Sequence, residues 1–133
     1  MVQEKILVIG ACGQIGRELT AALRLKFGQQ QVLASDIQAQ GNLSADMYPY
    51  FRLDVTDAAA LETLIAEEKI TQIYHLAVML SASGEKNPKK AWDLNMDSLL
   101  SVLELSVKYN VKKVLWPSSI AIFGPDSEKV STP

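Results

Sequence analysis

Three glycines near the amino terminus have the spacing of a phosphate-binding turn. They are Gly10, Gly13 and Gly16, and they directly follow the apolar run Ile6 to Ile9. In such a turn the first glycine permits a sharp bend, the second lets backbone amides approach a diphosphate, and the third lets a helix pack closely. A helix starting here, with Gln14 and Ile15 in its first turn, would direct unpaired N–H groups at the phosphates. Because glycine turns also occur for purely conformational reasons, the neighbouring residues decide the interpretation.

A carboxylate at the end of the next apolar run completes the pattern. Asp36 follows the run Val32 to Ser35 and lies twenty residues after Gly16. In this position a carboxylate accepts hydrogen bonds from the adenosine ribose, and its charge repels a 2′-phosphate. The residues Ile37 to Gln40 include no Arg or Lys that could neutralise such a phosphate. The sequence therefore predicts that NAD binds in preference to NADP, with Asp36 and Ile37 beside the ribose; a carboxylate that merely closes a strand is the alternative.

The elements that would position these residues are short apolar runs alternating with helical patterns. Short, nearly continuous apolar runs are typical of strands buried on both faces of a parallel sheet. The predicted strands are Lys5 to Gly10, Val32 to Ser35, Tyr50 to Leu53, Ile73 to Leu76 and Val114 to Trp116. Strands that alternate with helices imply right-handed crossovers. We therefore expect an α/β Rossmann fold, a doubly wound parallel sheet in three α/β/α layers with strand order 3-2-1-4-5.

Three helices are predicted between the strands. The first ends before Gly28, the second has Thr56 as its N-cap, and the third runs from Pro88 to about Asn110 after a loop. Their apolar positions are Ile15, Leu19, Ala22 and Leu23 in the first, Leu61, Leu64 and Ile65 in the second, and Ala91, Trp92, Leu94, Met96, Leu99, Val102, Leu103 and Leu105 in the third. Because the third helix is apolar on two sides, one side is expected to meet something besides the sheet.

Composition narrows the class of protein. The chain has 133 residues, 48% of them hydrophobic, with a formal net charge of −2. This is the size of one domain, 1–133, and the scattered Lys and Arg argue against nucleic acid as a partner. With Cys12 as the only cysteine and His75 as the only histidine, neither an intramolecular disulfide nor a metal site is expected. No apolar run is long enough for a membrane helix, so a cytoplasmic location is expected, and His75 is interpreted as a structural residue.

The glycine spacing resembles that of the extended short-chain dehydrogenase/reductases, a family that includes nucleotide-sugar epimerases and dehydratases. The resemblance extends over the whole chain. It implies that Asp54 and Val55 lie beside the adenine, that Leu76 and Ala77 lie under the cofactor at the end of the fourth strand, and that Asn95 lies near the active site. The loop composition after Gly124 suggests that the fold is incomplete at the carboxyl end of this chain.

The resemblance also implies catalytic groups. The run Pro117 to Gly124 resembles the family's fifth-strand end, where Ser119 takes the place of the catalytic hydroxyl; a serine that only closes a turn is the alternative. The family's Tyr-x-x-x-Lys pair is missing, because the only tyrosine with a lysine four places on is Tyr109, which straddles a helix end. A serine hydroxyl alone is a poor base. The base is therefore expected beyond Pro133.

Within the family, three segments resemble the short-chain L-threonine 3-dehydrogenases. They are the glycine turn with Cys12, the run Leu80 to Pro88, and the run Trp116 to Pro125. The resemblance implies a small-molecule substrate, L-threonine, with Ser81 near it, and a homodimer through the helix around Trp92 to Leu105. Two alternatives remain open: a nucleotide-sugar epimerase or dehydratase with the same cofactor residues, and a non-catalytic dinucleotide sensor.

Overall fold

The core of the molecule is a parallel sheet. A computed structural model describes residues 3–79 and 81–119, apart from the side chains of Ser81 and Ala82. The strands in these ranges are β1 Ile6–Ile9, β2 Val32–Asp36, β3 Tyr50–Arg52, β4 Gln72–His75 and β5 Lys113–Leu115. They pair in parallel in the order β3-β2-β1-β4-β5. The predicted order 3-2-1-4-5 and the Rossmann fold are therefore confirmed.

Helices connect the strands. They are α1 Gln14–Phe27, α2 Ala58–Glu68, α3 Ser81–Lys86, α4 Pro88–Trp92 and α5 Ser98–Lys108, and a π-helical turn, Asp93–Asp97, joins α4 to α5. Short 3-10 turns occupy Gln29–Gln31, Gln40–Asn42 and Ala45–Met47. None of the helices in the described part of the chain is both long and apolar enough to cross a membrane.

The two faces of β1 belong to two different apolar clusters. Leu7 and Ile9 pack in the cluster that contains α2 and α5, and Ile6 and Val8 pack in the cluster that contains α1. All four side chains are at most 1% exposed, as expected for a central strand covered on both faces. The predicted apolar stripe of α2 is confirmed, because Leu61, Leu64 and Ile65 are buried.

The predicted apolar stripe of α1 is partly wrong. Ile15 is 67% exposed and Ala22 is also exposed, whereas the buried side of the helix includes Thr20, Leu23 and Arg24. Arg24 faces inward because its guanidinium donates hydrogen bonds to one carbonyl at the start of β2 and to three carbonyls within the β2–β3 connection. Its acceptors are the carbonyl oxygens of Val32, Asp46, Met47 and Pro49. A buried charge is tolerated when such acceptors surround it.

The start of α2 also differs from the prediction. Asp57, and not Thr56, is the N-cap, because its carboxylate accepts a hydrogen bond from the Ala60 N–H at 3.1 Å. The Thr56 hydroxyl instead donates to Asp54 at 2.6 Å. Both residue types can cap a helix, so the sequence did not distinguish the two neighbouring positions.

The region predicted as a loop and one long helix is more divided. The loop contains α3, and the π-helical turn interrupts the third helix between Trp92 and Ser98. Pro88 begins α4 as predicted, with Asn87 as its N-cap. Val102 and Leu105 of α5 are buried against the sheet. The predicted second apolar face points outward, with Trp92 61% and Leu103 43% exposed.

Candidate functional site

The glycine turn joins the end of β1 to α1 at the carboxyl edge of the sheet. Gly10 has a φ of +84°, a backbone conformation that glycine adopts without steric cost. The N–H groups of Gly10 and Ala11 both donate to the Ser35 carbonyl, at 2.9 and 3.0 Å. These bonds hold the turn against the end of β2, next to Asp36.

The three glycines differ in the space around their α carbons. A Cβ at Gly16 would lie 2.2 Å from the Gly10 carbonyl oxygen, and a Cβ at Gly10 would lie 2.8 Å from the Ala77 nitrogen. A Cβ at Gly13 would meet only the Gly10 oxygen, at an ordinary 3.5 Å. Packing within the protein therefore requires Gly10 and Gly16 to be glycines. The open side of Gly13 leaves room for a diphosphate, and a side chain at this position would occupy that room.

The first turn of α1 is prepared for an anion. Its N-cap, Gly13, offers no side chain to accept a backbone hydrogen bond, and the turn contains no acidic residue. The leading N–H groups of a helix have no partner within the helix, and the helix dipole adds partial positive charge there. Gln14 and Ile15 are both exposed at this end. The start of α1 can therefore receive phosphate oxygens.

Asp36 lies beside this turn with a fixed carboxylate. Its Oδ2 accepts a hydrogen bond from the Cys12 N–H at 3.0 Å, and its Oδ1 accepts one from the Ile37 N–H at 2.8 Å. An ionised carboxylate has about four acceptor positions, so further positions remain for ribose hydroxyls. The exposed side chain of Ile37 borders the same place.

Tyr50 of β3 holds the backbone around Asp36. Its hydroxyl lies 3.0 Å from the Asp36 carbonyl oxygen and 2.8 Å from that of Gln38. Burial is the main cause that raises the pKa of Tyr50 above its ordinary value, so the phenol keeps its proton and remains a donor. The sequence analysis did not identify this residue, because the contact depends on the pairing of β2 with β3.

Two arginines near Asp36 were also missed. Arg52 is the β3 residue paired with Asp36, and its Nε donates to the Ile37 carbonyl at 3.1 Å. Arg17, the residue after Gly16, donates from its Nε to the Cys12 carbonyl at 3.0 Å. The absence of Arg and Lys between Ile37 and Gln40 therefore does not mean that no cation is near. The signal that could have identified Arg52 is the pairing of β3 with β2, which sets Arg52 opposite Asp36.

Asp54 and Val55 lie in the turn between β3 and α2. The Asp54 carboxylate accepts hydrogen bonds from the N–H and the hydroxyl of Thr56, at 3.0 and 2.6 Å. These bonds lower the pKa of Asp54. The Val55 side chain is buried in the core. Asp54 thus orders the turn, and a nucleotide contact at Val55 would use its backbone.

The end of β4 supports the glycine turn from below. The Leu76 N–H donates to the Ile9 carbonyl at 2.8 Å, and the backbone of Ala77 adjoins Gly10. Leu76 and Ala77 are both half-buried. Both residues follow the end of β4 and adjoin the glycine turn; their contact with the cofactor stays a prediction.

His75 is fully buried at the end of β4. Its Nε2 lies 2.9 Å from the Ser98 Oγ. Since the Ser98 hydroxyl donates to the Leu94 carbonyl, its oxygen accepts from Nε2–H, and Nδ1 has no hydrogen-bond partner among the residues described. Burial lowers the pKa of His75 to about 4. The imidazole is therefore neutral near pH 7 and enclosed in the core, with no exposed surface that a substrate could contact.

Asn95 binds the backbone beyond β4. Its Oδ1 accepts from the Met79 N–H at 2.7 Å, and its Nδ2 donates to the Met79 carbonyl at 3.3 Å. Both ends of the amide are thus used on one residue. Asn95 therefore holds the backbone of the segment that follows Ala77 in place.

The predicted catalytic and substrate residues are only partly visible. Ser119 is exposed, four residues after the end of β5, at the same edge of the sheet as the glycine turn. Ser81 begins α3, but its side chain lies outside the described atoms, as do Leu80 and residues 120–133.

The tyrosine–lysine match by spacing is accidental, as predicted. Tyr109 follows the last turn of α5, and its hydroxyl donates to Glu62 at 2.6 Å. Lys113 is a residue of β5. They share no helical face and lie at the amino end of the strand, away from the glycine turn. Within residues 3–79 and 81–119, no group of three or more His, Cys, Asp or Glu side chains could hold a metal ion.

A glycine turn with one open glycine, an uncapped helix start and a strand-ending carboxylate define a dinucleotide-binding Rossmann protein. Residues 6–133 match the model of the NAD dependent epimerase/dehydratase family. The chain belongs to this family, and its cofactor is NAD.

The curated relatives that the chain matches include proteins about two and a half times longer. The chain is 44% identical over 131 residues to an uncharacterised epimerase/dehydratase of Staphylococcus saprophyticus, covering 98% of this chain and 41% of that protein. It thus spans about two-fifths of the length of the curated relative.

Solved structures give the same proportion. A partial consensus L-threonine 3-dehydrogenase is 49% identical with a TM-score of 0.90, over 97% of this chain and 41% of the other. A monomeric L-threonine 3-dehydrogenase from a metagenome, in its apo form, is 45% identical with a TM-score of 0.88, over 96% and 40%. The Thermus thermophilus UDP-glucose 4-epimerase in complex with NAD is 26% identical with a TM-score of 0.75, over 86% and 37%.

Proposed function

We propose that this chain is the cofactor-binding part of an NAD-dependent oxidoreductase that oxidises the 3-hydroxyl of L-threonine. The observation that carries the proposal is the graded similarity: 49% identity to a threonine dehydrogenase against 26% to a sugar-nucleotide epimerase. In this reaction the carbon-bound hydrogen leaves as hydride to the nicotinamide ring of NAD, and the hydroxyl proton passes to a base.

The proposed cofactor contacts follow the geometry of the site. The open face of Gly13 and the amides of Gln14 to Gly16 receive the diphosphate, because the helix start there is uncapped. Asp36 and Ile37 bind the adenosine ribose, and Gly10 shapes the turn. Asp54 and Val55 border the adenine, Leu76 and Ala77 lie beneath the cofactor, and Asn95 holds the adjoining backbone at Met79.

The proposed catalytic role of Ser119 is to orient the substrate hydroxyl. A serine hydroxyl is a poor base near neutral pH, and no tyrosine and lysine share a helical face in the described part of the chain. We therefore assign proton removal to a tyrosine–lysine pair in sequence that follows this chain in the complete protein. Ser81 is proposed to lie near the substrate.

A direct assay tests the substrate assignment. The complete polypeptide that contains this chain should reduce NAD when L-threonine is supplied, and should leave UDP-sugars unchanged. A Ser119→Ala variant should lose roughly 100-fold in kcat, whereas the exposed neighbour Ser118 provides the matched control, Ser118→Ala. Loss of activity in both variants alike would contradict the role of Ser119.

Epimerisation or dehydration of a nucleotide sugar is the second candidate. It is favoured by the name of the family and by the similarity to a UDP-glucose 4-epimerase. Both candidates would use the same cofactor residues. Turnover of a UDP-sugar without oxidation of L-threonine would replace the first proposal by the second.

The outward apolar face of the third helical segment is the proposed dimer contact. Trp92 and Leu103 are exposed there, within the segment from Trp92 to Leu105, and exposed apolar patches often mark contact surfaces. One 45%-identical neighbour is monomeric, so association must be measured. Light scattering should show a dimer that Leu103→Glu dissociates, while Leu25→Glu, on exposed Leu25 of α1, should leave it intact. A monomer at all concentrations would contradict this contact.

A further inference from the structure

Arg52 lies beside Asp36 because β2 and β3 are parallel neighbours. The two residues are paired across the strands, so their side chains leave the same face of the sheet. The Arg52 Nε donates to the carbonyl of Ile37, the residue that follows Asp36. Arg52 is exposed, and among the residues described its terminal nitrogens have no hydrogen bond or ion pair.

Arg17 approaches Asp36 from the glycine turn. Its Nε donates to the Cys12 carbonyl at 3.0 Å, and the N–H of the same Cys12 donates to the Asp36 carboxylate at 3.0 Å. One residue of the turn thus connects the arginine to the carboxylate. Arg17 is also exposed, and within 3–79 and 81–119 its terminal nitrogens make no hydrogen bond or ion pair.

We propose that Arg17 and Arg52 form a latent site for a phosphate on the adenosine 2′-oxygen, which the carboxylate of Asp36 keeps closed. The inference rests on the proposed placement of the adenosine ribose at Asp36. Guanidinium groups pair with phosphate oxygens through two parallel N–H bonds, and within residues 3–79 and 81–119 the terminal nitrogens of both arginines make no hydrogen bond or ion pair. The preference for NAD is then set by one negative charge against two positive ones, and not by a lack of cations.

The acidic groups around the arginines support this assignment. The Ser44 hydroxyl donates to the Asp46 carboxylate and lowers its pKa, and the charges of Arg17 and Arg24 lower it further. The carbonyl of Asp46 and that of Val32, at the start of β2, both accept from the Arg24 guanidinium, so the Asp46 backbone lies near the amino end of β2. Asp36, at the other end of β2, is therefore the carboxylate that pairs in the sheet with Arg52 and accepts the N–H of Cys12, whose carbonyl accepts from Arg17.

The experiment measures binding of NAD and NADP to the purified protein by calorimetry. In the wild type, NAD should bind more tightly than NADP. In Asp36→Asn, which keeps an oxygen to accept the Cys12 N–H, NADP affinity should rise by roughly tenfold or more relative to NAD. Asp36→Ala serves as a second neutral variant, and circular dichroism checks the fold of both.

Double variants then identify the cations. Adding Arg52→Gln or Arg17→Gln to Asp36→Asn should each reverse most of the gain for NADP and leave NAD affinity within about twofold, because only a phosphate contact is lost. The matched control adds Lys26→Gln, which removes an exposed cation at the far end of α1 and should preserve the gain. Adenosine 2′,5′-bisphosphate compared with AMP isolates the 2′-phosphate from the rest of the cofactor.

Failure of the latent phosphate site and failure of the cofactor site give different binding results. If NAD binds the wild type but neither neutral variant gains affinity for NADP, the latent phosphate site is wrong and the cofactor site stands. Equal NADP affinity in the arginine and lysine double variants would also overturn it. If neither NAD nor AMP binds the wild type, the placement of the ribose is wrong and the inference is lost with it.

Discussion

The carboxyl edge of the sheet has two halves that use polar groups in opposite ways. On the β1–β2 half, the open face of Gly13 and the carboxylate of Asp36 retain capacity for a ligand. On the β4 half, the Nε2 of His75 is used on Ser98, and both ends of the Asn95 amide are used on Met79. Residue type alone does not distinguish the two halves. Substitutions in the first should change affinity, and substitutions in the second should change stability.

Gly16 lies on the β1–β2 half, but its substitution should change stability, and this is the largest effect that we expect. Gly16→Ala should reduce the free energy of unfolding by more than about 3 kcal/mol, because the new Cβ would overlap backbone atoms. The Gly10 oxygen lies 2.2 Å from that Cβ position, and a backbone carbonyl cannot rotate away. Urea unfolding measures the loss.

Gly41 provides the matched control for Gly16. It has no atom within 4 Å of its Cβ position, so Gly41→Ala should unfold at nearly the wild-type urea concentration. Equal midpoints for the two variants would mean that α1 does not pack on the turn as closely as described.

The second prediction concerns acid stability through His75. The unfolded-state pKa is near 6.5 and the folded-state pKa is about 4, so the unfolded chain binds more protons between these values and stability falls as the pH falls. The expected contribution is about 3 kcal/mol, lost progressively from pH 6.5 down to pH 4. His75→Gln has no titrating group, so its stability should decline less in acid than that of the wild type.

Unfolding free energies of both proteins across this range test the role of His75. Carboxylates such as Glu4 and Glu62, whose pKa values are lowered by hydrogen bonds, titrate in both proteins and cancel in the difference. Parallel pH profiles would show that His75 is not enclosed.

A smaller loss of stability is expected at Asn95. Asn95→Ala removes two hydrogen bonds to Met79, which should cost about 1–2 kcal/mol. Hydrogen exchange should show faster opening of the segment after β4, while the glycine turn stays protected. Asn95→Asp keeps an acceptor for the Met79 N–H, so its stability should lie between those of the wild type and Asn95→Ala. Hydrogen exchange identical to that of the wild type in both variants would contradict the role of Asn95 in holding Met79.

The smallest change in stability is expected at Gly13. Its φ of −69° and ψ of 171° suit any residue, so Gly13→Ala should alter stability by less than about 0.5 kcal/mol. NAD affinity should nevertheless fall by roughly tenfold or more, because a methyl group would occupy the place of the diphosphate. Calorimetry of folded Gly13→Ala measures it, and unchanged affinity would mean that the diphosphate does not lie there.

Much of the fold was predictable because its signals are local. The buried strands follow from continuous apolar runs, and their order follows from alternation with helices. The errors arose where neighbouring residues are chemically equivalent or where a partner is distant. Thr56 and Asp57 can both cap α2, and Arg24 belongs to the buried side of α1 because carbonyls of the β2–β3 connection accept its hydrogen bonds.

For the candidate site, the sequence by itself determined which residues could meet a dinucleotide: a glycine turn after β1 and a carboxylate after β2, since both depend on backbone conformation and spacing. Only the tertiary structure decided that Arg52 lies beside Asp36, that Tyr50 holds the same backbone, and that Gly13 is the open one of the three glycines in the turn. These relations join residues far apart in the chain. They depend on strand register and close packing, which spacing in a sequence does not encode.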